Sequence, residues 1–443
     1  MNKENAQLGF RLWSALLIFG LFGQIAWVIE NMYFNVFVYK TITYHPDAIA
    51  IMVAASAITA TITTLGMGVV SDRLRKRKIF ISAGYIIWGL VIGSFAFISK
   101  DNISSLFPGM DVVAVTVAVV VIMDCVMTFF GSTANDAAFN AWVTDVTIPE
   151  NRGRAEGLLN ALPLLSMLIV FGVFDPLTRS GKWEEFFIII GGLVLLGGFS
   201  GIFIIRDKLI GLDPKQKKDH YLADVVYGFR LSVIRENKYL YLILVATAVF
   251  CTAFQVFMPY LLIYIEFFLG IKNYAVIMAI VLLSSSIASI LLGRAVDRYG
   301  KSWFLIMGTI VFSLSLLAMY GSGRLWKNDL TLQFALVSIF GTLFMTSYLT
   351  VMLILNASMR DFLPEEKRGH YAGVRMIFFV LIPMTIGPFL GSYIIKFSDA
   401  TFNNQFGEIQ HVPNPEIYLG GAVITLLAYP LLRKILQPPQ GAH

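Results

Sequence analysis

The sequence predicts an all-α membrane protein, twelve transmembrane helices arranged as two pseudo-symmetric six-helix bundles. Three observations predict it. Hydrophobic residues fill 57% of the 443 positions and charged ones only 14%, too little polar surface to cover a water-soluble globule. Apolar stretches of about 20 residues, the length that crosses a bilayer, recur along the whole chain. Two sets of loop residues also repeat at fixed offsets, one copy in each half.

The apolar stretches run over 12–38, 47–71, 79–98, 112–140, 155–178, 183–205, 238–266, 273–295, 302–321, 330–356, 370–396 and 415–436. No signal peptide is expected before them, because the first run is too long for an h-region and no small-residue cleavage site follows it. Cys125 and Cys251 both fall inside spans, where small packing residues are expected rather than a disulfide framework. With a cytoplasmic N-terminus, 26 of the Lys and Arg residues fall on the inner side and 8 on the outer. The positive-inside rule then places both termini in the cytoplasm of a multi-pass cell-membrane protein. The net charge of +6 reads as loops anchored against anionic lipid. Nucleic-acid binding would need a soluble basic domain, and none is present.

The longest polar interval divides the spans six and six. It gives an N-terminal bundle over 1–205, a cytoplasmic linker over 206–237 and a C-terminal bundle over 238–443. Within the linker, Leu222, Val225, Val226 and Phe229 keep the spacing of a short helix lying on the membrane surface. The repeats sit in equivalent loops of the two bundles. Gly68, Asp72 and Arg73 recur as Gly293, Asp297 and Arg298, in the pattern G-x-x-x-D-R. Asn140-Ala141, Asp145, Arg152-Gly153 and Gly157 recur as Asn356-Ala357, Asp361, Arg368-Gly369 and Gly373. An even number of spans separates each pair, so the repeat is parallel.

The segments Gly68 to Lys78 and Gly293 to Lys301 resemble the loop signature of the major facilitator superfamily, G-x-x-x-D-R-x-G-x-[RK]-[RK], and the resemblance extends over essentially the whole chain. Asn135-Asp136 through Asn140 to Asp145, taken with Asp72 through Lys78, is similar to the glycoside, pentoside and hexuronide cation symporters and the related disaccharide/proton symporters. That resemblance implies a secondary transporter. In melibiose-type members it implies coupling-ion carboxylates on helices two and four and a sugar-binding arginine on helix five. Here helix two offers the hydroxyls of Ser56, Thr59, Thr61, Thr63 and Thr64 in place of a carboxylate, and helix five has no arginine beyond Arg154.

The loop motifs suit a gate. A carboxylate at one helix end can face the N-terminus of another helix, where unpaired N–H groups and the dipole favour an anion. Asp72 is expected to serve helix eleven in this way, and Asp297 helix five. Gly153, Gly157, Gly369 and Gly373 sit at those N-termini and permit close backbone approach. Arg152 and Arg368 are expected to pair with Asp145, Asp361 or the loop acids, closing a cytoplasmic latch that opens when the halves rock.

Polar residues at membrane depth point to the cargo, because an ionisable group there is costly and usually faces a cavity. Glu30, Asp124 and Asp136 are the candidate coupling-ion groups. On helix one Gln24, Trp27, Asn31 and Asn35 fall within about 80° of one another at 100° per residue. That stripe offers amides and an indole platform suited to a sugar ring, with Asn160, Gln255 and Tyr260 as further cavity candidates. The alternative for all of them is interhelical hydrogen bonding. Asp175, Glu184, Glu185 and Glu266 lie near outer span ends and read as interfacial, while Pro163, Pro259, Pro383 and Pro388 are expected to bend helices.

No H-E-x-x-H or G-x-S-x-G occurs. Gly300-Lys301-Ser302 resembles the end of a phosphate loop, but Ala295 stands where its first glycine belongs. An enzyme is therefore not expected, nor a resident cofactor or metal. The expected function is proton- or sodium-coupled symport of a sugar or glycoside by a monomer in lipid. The alternatives are an exporter of drugs or other organic solutes, which favours an aromatic cavity, and a transport-dead sensor or scaffold, which has no need of acids at membrane depth.

Overall fold

The computed structural model describes residues 9–74, 76–147, 149–207, 229–326, 329–362, 373–403 and 409–435. Among the described residues twelve helices are long and apolar enough to cross a membrane: α1 (Phe10–Ile42), α2 (Pro46–Ser71), α3 (Arg77–Phe97), α4 (Val112–Val146), α5 (Asn151–Arg179), α6 (Trp183–Ile204), α7 (Lys238–Phe268), α8 (Tyr274–Val296), α9 (Lys301–Leu325), α10 (Leu330–Asp361), α11 (Gly373–Lys396) and α12 (Glu416–Ile435). The surface helix expected around Leu222 to Phe229 lies outside the described residues except for Phe229. One feature was not foreseen. Between α11 and α12 a small hairpin pairs β1 (Thr401–Asn403) antiparallel with β2 (Ile409–His411).

The chain forms two compact units. Unit 1 takes residues 1–43 and 58–222, and unit 2 takes 44–57 and 223–443. The start of α2 thus belongs to unit 2 and its remainder to unit 1.

In lipid no hydrophobic force drives helices together, so close packing decides which faces meet. In unit 1 the tightest crossing is α3 on α6. A β-carbon built on Gly89 would stand 2.5 Å from the carbonyl oxygen of Gly191, and one built on Gly191 would stand 2.6 Å from that of Gly89. Only a residue without a side chain permits backbones to approach this closely. Gly89→Ala should therefore force the two helices apart, at a cost of about 1–3 kcal/mol. A lowered midpoint in detergent thermal unfolding is the expected result. In unit 2, Gly391 of α11 plays the same part against the Val256 carbonyl of α7.

Several spans leave regular α-helical winding. Wider π turns occupy Ile29–Tyr33 and Val38–Ile42 in α1, Ser132–Phe139 in α4, Val170–Phe174 in α5, Tyr264–Phe268 in α7 and Ile377–Leu381 in α11. Three of these departures have a proline beside them, among them the α5 segment, which Pro176 follows. Pro383 follows the α11 segment, and Pro259 lies in a tight 3₁₀ turn, Met258–Tyr260, before the α7 segment. A proline brings no N–H to the ladder, so the preceding turn rewinds. Each π turn also inserts one residue into the helical count and rotates every side chain beyond it.

Candidate functional site

The described acids buried in unit 1 are not spread along the bundle; two of them meet. Glu30 sits in the first π turn of α1 and is 7% exposed, and Asp124 sits in the regular part of α4 at 1%. Thr128, one turn along α4 from Asp124, donates its hydroxyl to Glu30 Oε1 at 2.8 Å. The Glu30 carboxyl also acts on Asp124 through space. Asp124 Oδ1 is buried with no hydrogen-bond partner among the described residues. Next to this pair Cys125 shares a hydrogen bond with Thr59 of α2.

The electrostatics of the pair follow from its setting. Two carboxylates in a low-dielectric interior repel too strongly for both to stay ionised. A single positive charge, a proton or a small cation, relieves that repulsion.

Asp136 stands apart from the pair. It lies in the π turn of α4, where Ser132 donates to its Oδ2 at 3.2 Å. Beside it Asn135 donates to the Tyr85 hydroxyl at 2.5 Å, and Tyr85 donates to the Phe19 carbonyl at 2.7 Å. This chain ties α1, α3 and α4 together. A regular helix would place Asp124, Thr128 and Asn135 on one face. The π turn intervenes, so Thr128 serves Glu30 while Asn135 serves Tyr85.

The amide stripe of α1 needs the same correction. Gln24 and Trp27 are partly buried, Asn31 is exposed and Asn35 is buried. Asn31 and Asn35 each donate to a carbonyl of their own helix one turn back, those of Trp27 and Asn31. They do not share one face, because the π turn between them breaks the 100° step. The Trp27 ring packs against that of Trp88, with centroids 5.2 Å apart and planes tilted by 54°. Asn160 is exposed on α5, and Gln255 packs against Gly387 of α11. Tyr260, expected to line a cavity, is wholly buried, with its hydroxyl donating to the Pro388 carbonyl at 2.9 Å and the Pro46 carbonyl also near, at 3.2 Å.

The loop residues pair differently from expectation. Asp145 takes Arg77, not Arg152, with Nε to Oδ2 at 3.2 Å, and Arg77 also donates to Ser71. In unit 2 Asp361 takes Lys301 at 2.5 Å. Each acid thus ends its helix, α4 or α10, by capturing a cation from the start of the helix that follows the repeated loop, α3 or α9. Arg152 reaches the Thr147 hydroxyl at 3.5 Å instead, and Arg298 lies over the Tyr299 ring. A side chain added at Gly68, Gly153 or Gly157 would meet no described atom within 4 Å, and one at Gly293 only Leu353. Among the described residues, close approach is therefore not made at these glycines. Arg73 stays exposed. The side chains of Asp72 and Asp297, and Arg368 and Gly369 entirely, lie outside the described residues. The Lys301–Asp361 pair is exposed on both sides, so Asp361→Ala should cost no more than about 1 kcal/mol, read as an almost unchanged unfolding midpoint.

Two acids escaped the sequence reading. Asp175 lies near the end of its span, as expected, but not at the surface. It is wholly buried, accepting the Tyr33 hydroxyl at 3.0 Å and pairing with Arg179 at 2.7 Å. Asp47, in the first turn of α2, pairs with Lys396. Its only sequence signal was an acid at a helix start, which reads as favourable to the dipole and nothing more.

Unit 2 lacks a counterpart to the carboxyl pair at the repeat positions. Gln255 stands where Glu30 does, and Phe340 and Met352 where Asp124 and Asp136 do. Met352 packs its sulfur 3.5 Å from that of Cys251, and Tyr348 stacks on Phe254 with ring centroids 4.0 Å apart. This part of unit 2 is aromatic and sulfur-rich where unit 1 is acidic.

Solved structures share the architecture. The chain is similar to the nucleoside transporter NupG, with 10% identity, 95% of this chain and 99% of that one covered and a TM-score of 0.74. It is similar to a D-xylose-proton symporter at 14% identity, covering 98% and 99%, TM-score 0.72. A third is the xylose transporter XylE from E. coli, at 15% identity, 95% and 97%, TM-score 0.65. Identities this low establish the fold alone. No curated protein sequence matches the chain. The family model for the Major Facilitator Superfamily, however, matches residues 12–282 and again 243–442. With twelve spans, a parallel internal repeat and a match to that model over nearly its whole length, this chain belongs to the Major Facilitator Superfamily of membrane transporters.

Proposed function

We propose that this transporter is a cation-coupled symporter of a sugar or glycoside, working by alternating access, with Glu30 and Asp124 as the groups that bind the coupling ion. One observation carries the reading, the meeting of two buried carboxyls on α1 and α4 through Thr128. Acids are kept at membrane depth only where they have work to do. A symporter needs a group that is charged in one stage of its cycle and neutralised in another, and a crowded carboxyl pair meets that need with a proton or a sodium ion. The resemblance to the glycoside, pentoside and hexuronide symporters, and the likeness in fold to a D-xylose-proton symporter, favour a hydroxylated solute. The Trp27 ring offers it an apolar face. The chain is read as a cell-membrane monomer with both termini cytoplasmic.

The test is uptake by reconstituted vesicles of a panel of sugars and glycosides under an imposed pH or sodium gradient. Accumulation of at least one of them, driven by one of the two gradients, is the expected result. A second reading, export of apolar organic solutes, is favoured by the stack of Tyr348 on Phe254 and Phe250. It would be preferred if apolar solutes, and no sugars, were moved.

Thr128→Val offers a milder probe. It removes one hydrogen bond to a carboxyl, worth about 1.5–3 kcal/mol, and leaves both acids in place. Coupled uptake should persist with its pH or sodium dependence displaced. An unchanged dependence would mean that the Thr128 contact plays no part in ion binding.

A further inference from the structure

Two arginines of unit 2 have no acid to answer them. Arg375 of α11 is exposed and donates from Nη2 to Asn356 Oδ1 of α10 at 3.1 Å. Its guanidinium also lies over the Phe379 ring, 5.0 Å from the centroid. Asn356 is anchored in turn, its amide donating to the Met352 carbonyl at 2.8 Å. One turn along α10 from Asn356, on the same face, stands Arg360, also exposed. The charge that acts on Arg375 through space is that of Arg360. Among the described residues no carboxylate pairs with either arginine. Other cations of these helix ends are matched: Lys301 by Asp361, the residue after Arg360, and in unit 1 Arg77 by Asp145.

The internal repeat shows that the fold does not require this pair. Asn356 keeps its counterpart, Asn140, whereas Arg360 and Arg375 stand where unit 1 has Thr144 and Leu159. Anchoring a helix end accounts for single cations. It gives no reason to hold two within reach of each other, since like charges repel. An anion between them turns the repulsion into attraction. Asn356 takes only one of the Arg375 N–H groups, and the Phe379 ring covers one face of its plane. The rest of the planar fork is left to grip an oxyanion through two oxygens. We propose that Arg375 and Arg360 bind a phosphate group, carried by a soluble solute or by a lipid headgroup, with Asn356 and Phe379 fixing the Arg375 guanidinium. The site lies wholly within unit 2 and is independent of the carboxyl pair of unit 1.

The experiment follows the thermal unfolding midpoint of the full chain in two arms. In one, protein in neutral detergent is titrated with inorganic phosphate at fixed ionic strength. In the other, protein in phosphatidylcholine nanodiscs is compared with protein in nanodiscs that also contain phosphatidylglycerol, with no phosphate in the buffer. Ligand that binds the folded protein raises the midpoint, and a rise in at least one arm is expected. A rise with inorganic phosphate alone assigns the site to a soluble phosphate, and a rise with phosphatidylglycerol alone assigns it to a headgroup. Arg375→Gln and Arg360→Gln should each raise the ligand concentration needed for a given rise by about tenfold. Both residues are exposed, so neither change should lower the midpoint measured without ligand. Arg433→Gln, at an exposed cation in the last turn of α12, should leave the response intact. No rise in either arm, or an equal loss of response in Arg433→Gln, would overturn the site.

Discussion

Glu30→Gln is expected to abolish accumulation of solute against its gradient while leaving exchange of solute across the membrane intact. Glutamine keeps the size of the side chain and an oxygen to accept the Thr128 hydroxyl, so the packing around the π turn of α1 is preserved. What is lost is the negative charge. A carrier that binds solute without the coupling ion only equilibrates it. The inside-to-outside ratio should fall to unity under a pH or sodium gradient, with counterflow of preloaded solute continuing. Asp124→Asn should act in the same way, because both acids answer to one cation. The double variant should be no worse than either single change, the non-additivity expected of groups that work as one site. Two independent, additive losses would mean that Glu30 and Asp124 do not share an ion.

Asp175→Ala should produce the largest loss of stability. The carboxylate is wholly buried and is held by Tyr33 of α1 and Arg179 at the end of α5. Removing one member of a buried pair costs about 3–5 kcal/mol. Arg179 is 29% exposed and regains some water, which places the expected value at the lower end of that range. Tyr33→Phe removes only the hydrogen bond to the carboxylate and should cost about 1.5–3 kcal/mol. Thermal unfolding in detergent, followed by tryptophan fluorescence, should rank the two variants in that order. Equal midpoints for Asp175→Ala and the parent protein would show that the pair contributes nothing.

The fold was legible because lipid imposes a simple rule: every spanning segment must satisfy its own backbone, and a run of apolar residues is the trace of that rule. All twelve apolar stretches became spans. Their ends were less visible. The stretch 112–140 continues as helix to Val146, and 330–356 continues to Asp361, because polar residues past the apolar run remain helical. Asn140, Thr144 and Asn356 bond carbonyls one turn back and need no water to do so.

The site was legible in part, and the limits have physical causes. Burial of Glu30 and Asp124 could be read from their depth in long apolar runs. Their meeting could not, since it depends on how α1 and α4 pack and on a π turn that leaves no compositional mark. The same turn separated Asn31 from Asn35, two residues that a regular helix places on one face. The partner of Asp145 was missed for a different reason. Arg152 lies close to Asp145 in the chain whereas Arg77 is 68 residues away, and only the packing of α3 on α4 brings Arg77 within reach. Asp47 was overlooked because an acid in a first turn explains itself locally, and its partners lie far along the chain on α11.

The most direct test of the coupling site is the charge that moves when solute is added to reconstituted vesicles held at zero ionic gradient. If Glu30 and Asp124 bind the coupling ion, solute should evoke an inward positive current in the parent protein. The Glu30→Gln/Asp124→Asn variant should give none, although it still exchanges solute. Equal currents from the two proteins, or solute entry in the parent with no charge movement at all, would contradict the account.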